Sequence, residues 1–156
     1  MQRYQAMLRT PFAVLGISTR DDLLSGIDFL PWDSPTRAPQ DPVAEAACRQ
    51  LMAYLRAPDF TFDLPLHLCG TPFQTRVWRA LREIPAGSTV HYGDLARALG
   101  SGPRAVGQAC GANPLPIVVP CHRVLAKNGM GGFMHHSSGE PLSIKAWLLR
   151  HERFQQ

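Results

Sequence analysis

Three prolines fence one apolar stretch. In Asn113-Pro-Leu-Pro-Ile-Val-Val-Pro-Cys-His-Arg-Val124 they stand at 114, 116 and 120. Each fixes its own φ, removes a backbone donor and pushes the preceding residue out of the helical region, so no helix can run through the stretch. Ile117-Val-Val119 is therefore read as a short buried run that leads into Cys121 at a fixed backbone angle. Other elements have to wrap over it. With 156 residues, 45% hydrophobic and 18% charged, the chain has the composition of a globular protein with one average domain or two small ones.

Upstream, Ala13-Val-Leu-Gly-Ile-Ser and Leu23-Leu-Ser-Gly-Ile-Asp-Phe-Leu flank Asp21-Asp22 and read as a β-hairpin or meander. Residues 31–42 hold four prolines and form a loop. Val43, Ala47, Leu51, Tyr54 and Leu55 make a helical stripe that runs to Arg56, and Pro58 stops it. Phe60, Phe62, Leu64, Leu66 and Leu68 alternate as in a strand, with Pro65 marking an edge. Residues 1–69 are thus expected to form a small α/β unit, an antiparallel sheet with one helix, whose role is support.

From Gly70 the character changes to mainly α. Thr71-Pro-Phe-Gln74 has the spacing of a capping box with proline at the first helical position, and Phe73, Val77, Leu81 and Ile84 continue it as a stripe until Pro85-Ala-Gly87. Tyr92 to Leu99 is a second helix with Leu95, Ala96 and Leu99 on one face, closed by Gly100-Ser-Gly102. Pro103 opens a third, with Val106 and Cys110 inward and Arg104, Gly107, Gln108 and Gly111 outward. Two short helices across a glycine turn resemble a helix-turn-helix, although helical hairpins also occur in any bundle. Glycine costs a helix about 1 kcal/mol per position relative to alanine, so the bare outer face needs a reason. Close approach to a narrow groove and close helix-to-helix packing both supply one.

Charge is divided unevenly. Residues 1–69 carry a net of −2 and residues 70–156 a net of +6, with fourteen arginines against two lysines overall. A basic half suggests a polyanionic partner, nucleic acid above all, with planar donors favoured over point charges; a genome whose base composition favours arginine gives the same count. No apolar run approaches the ~20 residues needed to cross a bilayer, and the N-terminus lacks a signal-peptide core, so a cytoplasmic protein is expected. Four cysteines at wide spacings (48, 69, 110 and 121) include no Cys-x-x-Cys pair, which points to free thiols rather than zinc or a disulfide scaffold.

Cys48 and Cys110 read as small buried groups on the apolar sides of helices, and Cys69 gives no signal. Cys121 differs because His122 and Arg123 follow it, and cationic or proton-accepting neighbours raise the thiolate fraction that attacks carbon. Neighbours on an extended chain point apart, so His122 reaches Cys121 only through a tight turn or a bridging water; an inert Cys preceding His-Arg fits the same residues. In the last helix, Pro141 to Arg153, Glu152 shares a stripe with Ile144, Trp147, Leu148 and His151. An ionised carboxylate there needs a partner, and His122 is one, giving a Cys, His, Glu chain; near the terminus, water is another.

Taken in order, Thr71-Pro-Phe-Gln, Val77-Trp78, Ile84-Pro-Ala-Gly, Tyr92, Arg104-Ala-Val-Gly, Asn113-Pro, Pro120-Cys-His-Arg-Val124 and Lys145-Ala-Trp-Leu-Leu-Arg-His-Glu152 resemble the O6-alkylguanine-DNA alkyltransferases. The likeness covers roughly residues 70–153, and residues 1–69 agree in type only. It implies a two-part chain, with residues 1–69 as a supporting α/β domain and residues 70–156 as a DNA-binding and active-site domain containing a helix-turn-helix. The implied activity is irreversible, stoichiometric transfer of the alkyl group from O6-alkylguanine in duplex DNA, and from O4-alkylthymine, to Cys121, by a monomer that needs no cofactor and no metal. By that likeness Cys121 is the nucleophile, His122 its water-mediated base, Glu152 the orienter and Asn113 the brace of the turn. Tyr92 helps rotate the target phosphate and donates a proton to the departing guanine. Arg104 fills the vacated stack, and Ala105, Gly107, Gln108, Gly111, Tyr92 and Arg123 meet DNA. Cys121, Val124, Phe133, Met134 and Lys145 form the substrate pocket, the carbonyls of Cys121 and Val124 reading the guanine amino group.

The pattern has departures. The Tyr92 to Arg104 segment is about two residues shorter and the 131–140 loop about four longer than usual by motif spacing, and His91 replaces a common capping Ser. His135-His136 in that loop suggests a metal only if further ligands join it, and a solvated loop is the reading preferred. Other classes compete less well: a binding module that flags damaged DNA without repairing it, a transcriptional regulator, and a Cys-His hydrolase, for which no oxyanion-hole motif accompanies Cys121.

Overall fold

The computed structural model describes residues 3–134 and 140–153, in two compact units, Met1–Leu68 and Cys69–Gln156. His135-His136 lies outside the described residues.

The first unit is a three-stranded antiparallel sheet in the order β1 (Ala6–Arg9), β2 (Val14–Arg20), β3 (Leu23–Leu30), with helix α1 (Pro42–Arg56) packed against it. The expected hairpin is β2–β3. Its turn residues Asp21 and Asp22 both have positive φ, 53° and 62°, the geometry that matches a tight hairpin to strand twist. β1 is an additional strand, paired Ala6 to Ile17 through Arg9 to Val14. β2 is central, and Val14, Leu15 and Ile17 are all buried although they alternate between faces. Gly16 on the same strand lets the Tyr4 ring lie flat: a Cβ there would fall 2.7 Å from it.

α1 begins where Asp41 accepts the Ala44 amide at 2.8 Å and the Thr19 hydroxyl at 2.6 Å, which ties the helix start to β2. It buries Ala44, Ala47, Leu51 and Tyr54 and stops before Pro58. The strand expected over residues 60–68 does not form. Pro65 has no N–H to donate, and Gln50 instead holds Asp63 by both its amide and its carbonyl. Leu66 alone forms a bridge, to Leu24, while Phe62 packs on Tyr54 and Phe60.

The second unit contains α2 (Pro72–Leu81), β4 (Val90–His91), α3 (Tyr92–Ala98), α4 (Pro103–Gly111), β5 (Val124–Leu125) and α5 (Glu140–Arg153), with a 3₁₀ turn over Cys121–Arg123. Both halves of the Thr71/Gln74 capping box are present. α2 ends at Leu81 rather than reaching Ile84, and buries Val77, Trp78 and Leu81. Trp78 is 1% exposed and donates from its indole to the Ala109 carbonyl at 2.8 Å, which fixes α2 on α4. α3 has no side-chain cap from His91. It closes through Gly100, at φ +67°, into the start of α4, and Val106, Ala109 and Cys110 face inward from there. β4 and β5 form a two-residue parallel pair, Val90 with Val124 and His91 with Leu125, that the sequence reading lacks. No described helix is long and apolar enough to cross a membrane.

Candidate active site around Cys121

The proline-fenced stretch is a tight, over-determined turn. Asn113 is buried; its Nδ2 donates to the Val119 carbonyl at 2.8 Å and its Oδ1 accepts the Leu115 amide at 2.9 Å. The Val119 amide donates to the Leu115 carbonyl, and the Cys121 amide to the Val119 carbonyl, each at 2.8 Å. Ile117 sits at φ +76°, which a β-branched residue rarely adopts. Such a conformation costs about 1–3 kcal/mol and persists only where surrounding bonds enforce it, as Asn113 and the flanking prolines do here. The short buried run is therefore bent, and the bend aims Cys121.

Cys121 is 3% exposed, yet its side of the turn opens on a cavity of about 730 Å³. Of the expected residues, Tyr92, Arg104, Gly107, Gly111, Phe133 and Met134 line that cavity with it. Ala105 and Gln108 are exposed on α4 outside the lining. Burial pushes the Cys121 thiol up to about 11, against the lowering effects of the Asn113 side chain and the Lys145 charge.

Behind the sulfur lies a charged network shut off from solvent. His122 Nε2 is 2.7 Å from Glu152 Oε2, and His122 is fully buried. Burial would by itself raise the Glu152 pKa, but hydrogen bonds from His122 and Arg123 and the Arg123 charge outweigh it, and the carboxyl is held well below its ordinary range. Burial, together with the Arg123 and Lys145 charges, lowers the His122 pKa against the pull of Glu152, so the imidazole is neutral at neutral pH. An ionised carboxylate only accepts, so Nε2 carries the ring proton and Nδ1 keeps its lone pair. That Nδ1 is buried with no hydrogen-bond partner in the protein.

Arg123, expected at the DNA, is turned inward and buried, its Nε and Nη2 donating to the two Glu152 oxygens at 2.9 and 3.0 Å and its Nη1 to the Ile84 carbonyl. A carboxylate on the buried stripe of α5 attracts the nearest fork-shaped cation. Lys145 is placed behind the cavity wall rather than in its lining. Its ammonium donates to the carbonyls of Val124 at 2.8 Å, Met130 at 2.6 Å and Gly132 at 2.8 Å. Burial brings its pKa down to about 8 against the opposing pull of Cys121 and Cys110. Val124 is likewise buried outside the lining, and its carbonyl already accepts from Lys145.

Tyr92, at the start of α3, donates its hydroxyl to the Gly132 carbonyl at 3.4 Å, and burial beside the two thiols raises its pKa. Gly131 has φ +75°, and a Cβ there would press on the Tyr92 ring at 3.0 Å, so a side chain at this point of the wall is strained. Lining residues that the sequence reading does not place at the site include Cys110, Gly93, Pro103, Ala126 and Lys127, whereas Gly131 and Gly132 belong to the 131–140 loop already singled out. For Cys110 the signal existed: it follows Gly107 by three residues and Pro103 by seven, the spacing of one helical face. Among the described residues no cluster of three or more side chains could hold a metal ion.

A helix-flanked cavity with a thiol at its floor and a buried His, Glu, Arg network behind defines a class of protein-thiol acceptors. Residues 72–154 match the family model described as 6-O-methylguanine DNA methyltransferase, DNA binding domain, and the chain belongs to that family. The constitutive methylated-DNA–protein-cysteine methyltransferase of Bacillus subtilis (strain 168) is 41% identical over 161 residues, covering 96% of this chain and 95% of that protein. The methylated-DNA–protein-cysteine methyltransferase of Methanosarcina acetivorans is 36% identical over 156 residues, covering 96% and 97%. Among solved structures, that of Mycobacterium tuberculosis OGT in complex with DNA matches with a TM-score of 0.77 at 37% identity, covering 96% of this chain and 92% of that one.

Proposed function

We propose that the protein repairs alkylated DNA directly, moving the alkyl group of O6-alkylguanine to Cys121 in a single irreversible event. The observation that carries this is Cys121 lining the cavity with neutral His122, clamped by Glu152, next to it in the chain. A thiol proton passes through a water to His122 Nδ1, and the thiolate attacks the alkyl carbon. The S–C bond forms as the C–O6 bond breaks, and its electron pair leaves on guanine, which takes a proton from the Tyr92 hydroxyl. Glu152 steadies the resulting imidazolium, and Arg123 keeps Glu152 ionised and aimed. The product is a thioether, and among the described residues no group is placed to release it. Transfer therefore happens once per molecule.

DNA engagement rests on α3 and α4. In this reading they form a helix-turn-helix whose second helix enters the minor groove, about 6 Å wide, where Gly107 and Gly111 allow the backbone close. Ala105 and Gln108 flank that contact, and exposed Arg104 fills the place of the extruded base. The reactive carbon is hidden in the duplex, so extrusion is needed, and it costs a few kcal/mol, less for a badly paired damaged base. The cavity falls within the ~300–1,000 Å³ range usual for small-ligand sites. The first unit, among whose described residues the buried polar group is Thr10, takes the supporting role in this reading.

Mixing the protein with a duplex containing O6-methylguanine should add one methyl group to the Cys121 peptide, read by mass spectrometry, and none to a Cys121→Ala variant. An unmodified peptide together with retained binding to the damaged duplex would instead make the protein a damage-flagging module.

A further inference from the structure

Two of the four thiols face the same space. Cys110, on the last turn of α4, and Cys121, in the 3₁₀ turn, are both free, both buried and both part of the cavity lining. One residue braces both: the Asn113 amide donates to the Cys110 carbonyl at 3.2 Å, and its Nδ2 donates to the Val119 carbonyl that also accepts the Cys121 amide. Cys121 acts electrostatically on Cys110, raising its pKa, and the Lys145 ammonium lowers both thiols. Alkyl transfer uses Cys121 alone and gives Cys110 no part. Cys69, the other thiol of this unit, is exposed and outside the lining.

A thiolate that meets peroxide becomes a sulfenic acid, and a second thiol in reach converts that species to a disulfide before it oxidises irreversibly. We propose that Cys110 and Cys121 form an intramolecular disulfide when the protein meets hydrogen peroxide, a reversible cap on the alkyl acceptor. The Cys121 thiolate attacks one peroxide oxygen, forming S–O and breaking O–O, and hydroxide leaves. The Cys110 thiolate then attacks the Cys121 sulfur, forming S–S and breaking S–O, and a second hydroxide leaves. The two protons lost by the thiols convert both hydroxides to water. The sulfurs together lose two electrons and the peroxide gains them. A dithiol reductant restores both thiols by exchange. Burial raises both thiols above their ordinary pKa, to about 12 for Cys110 and about 11 for Cys121, so the step answers a peroxide challenge rather than trace oxidant.

The bond can be sought without any assay of repair; only its consequence, lost alkyl acceptance, rests on the proposed function. Full-length protein treated with hydrogen peroxide, alkylated to block free thiols and digested without reductant should yield a Cys110–Cys121 cross-linked peptide pair lighter by two hydrogens than the separate peptides. The treated protein should lose methyl acceptance completely and regain it after dithiothreitol. A Cys110→Ser variant, compared with its own untreated sample, should lose acceptance irreversibly, with Cys121 found as sulfinic acid. Blocked, unoxidised Cys110 beside oxidised Cys121 in the treated wild type would overturn the proposal. Failure of untreated wild type to accept a methyl group would overturn the repair reading instead and leave the cross-link result standing.

Discussion

The two units bury different kinds of group. In the first, the buried polar or charged set among described residues is Thr10, whose hydroxyl is satisfied locally by donating to the Ala13 carbonyl and accepting its amide. In the second it is Asn113, His122, Arg123, Lys145 and Glu152. An apolar core needs only volume and pattern, whereas five buried polar side chains need every partner in place. The second unit accepts that burden where it surrounds one sulfur. Function is thus marked less by the surface than by what the interior tolerates.

The contrast is most severely tested at Glu152. Glu152→Ala leaves Arg123 buried and unpaired, and removing one member of a buried pair costs about 3–5 kcal/mol. Transfer should also slow by about 10²-fold, the scale of positioned general-base catalysis. Chemical denaturation and single-turnover kinetics read the two effects, and a variant of wild-type stability and rate would mean the network is incidental. Acid sharpens the same point. His122 has its pKa lowered on folding from the ordinary 6.5 and Glu152 from 4.5, so each stays unprotonated in the folded chain at pH values where the unfolded chain takes up a proton. Stability from both is intact at neutral pH and is lost as pH falls, first below about 6.5 and again below about 4.5. Glu152→Ala should flatten the lower part of that curve.

Arg104→Ala should separate chemistry from engagement. The residue is exposed, so stability should change by no more than about 0.5 kcal/mol, while duplex repair weakens by about 1–3 kcal/mol. Reactivity of Cys121 toward the free base O6-benzylguanine, which needs no extrusion, should be kept; an equal loss on both substrates would remove Arg104 from its proposed place in the stack. The smallest effect belongs to the first unit. Asp41→Ala removes the α1 cap and should destabilise by about 1 kcal/mol with the transfer rate unchanged, measured by melting and by single-turnover assay. A matching loss of rate would give that unit more than a supporting role.

Features set by neighbours in sequence were legible before any coordinates. The Thr71/Gln74 box, proline at the starts of α2 and α4, the Asp21-Asp22 hairpin and the stripes of α1 and α5 all depend on residues within a turn or two of each other. The His122–Glu152 pair was legible as well, because a carboxylate on the buried face of α5 has to find a partner. What stayed hidden depends on distant contacts. The β4–β5 pair joins residues 34 positions apart over only two residues each, too short for a periodic signal. Residues 60–68 alternate like a strand because their apolar side chains pack inward, yet the backbone of Asp63 is claimed by Gln50, which no local pattern announces. The burial of Arg123 is hidden for a related reason: a cation in a basic half reads as an outward-facing group, and the carboxylate that holds it lies 29 positions away.

The turn that carries Cys121 has its amide bound, its flanking prolines rigid and its brace at Asn113 buried. A backbone so fixed offers no hinge by which a loaded sulfur could be carried to a second molecule. The number of lesions a cell can clear then equals the copies of the polypeptide it holds, and recovery after heavy damage waits on the ribosome rather than on catalytic speed.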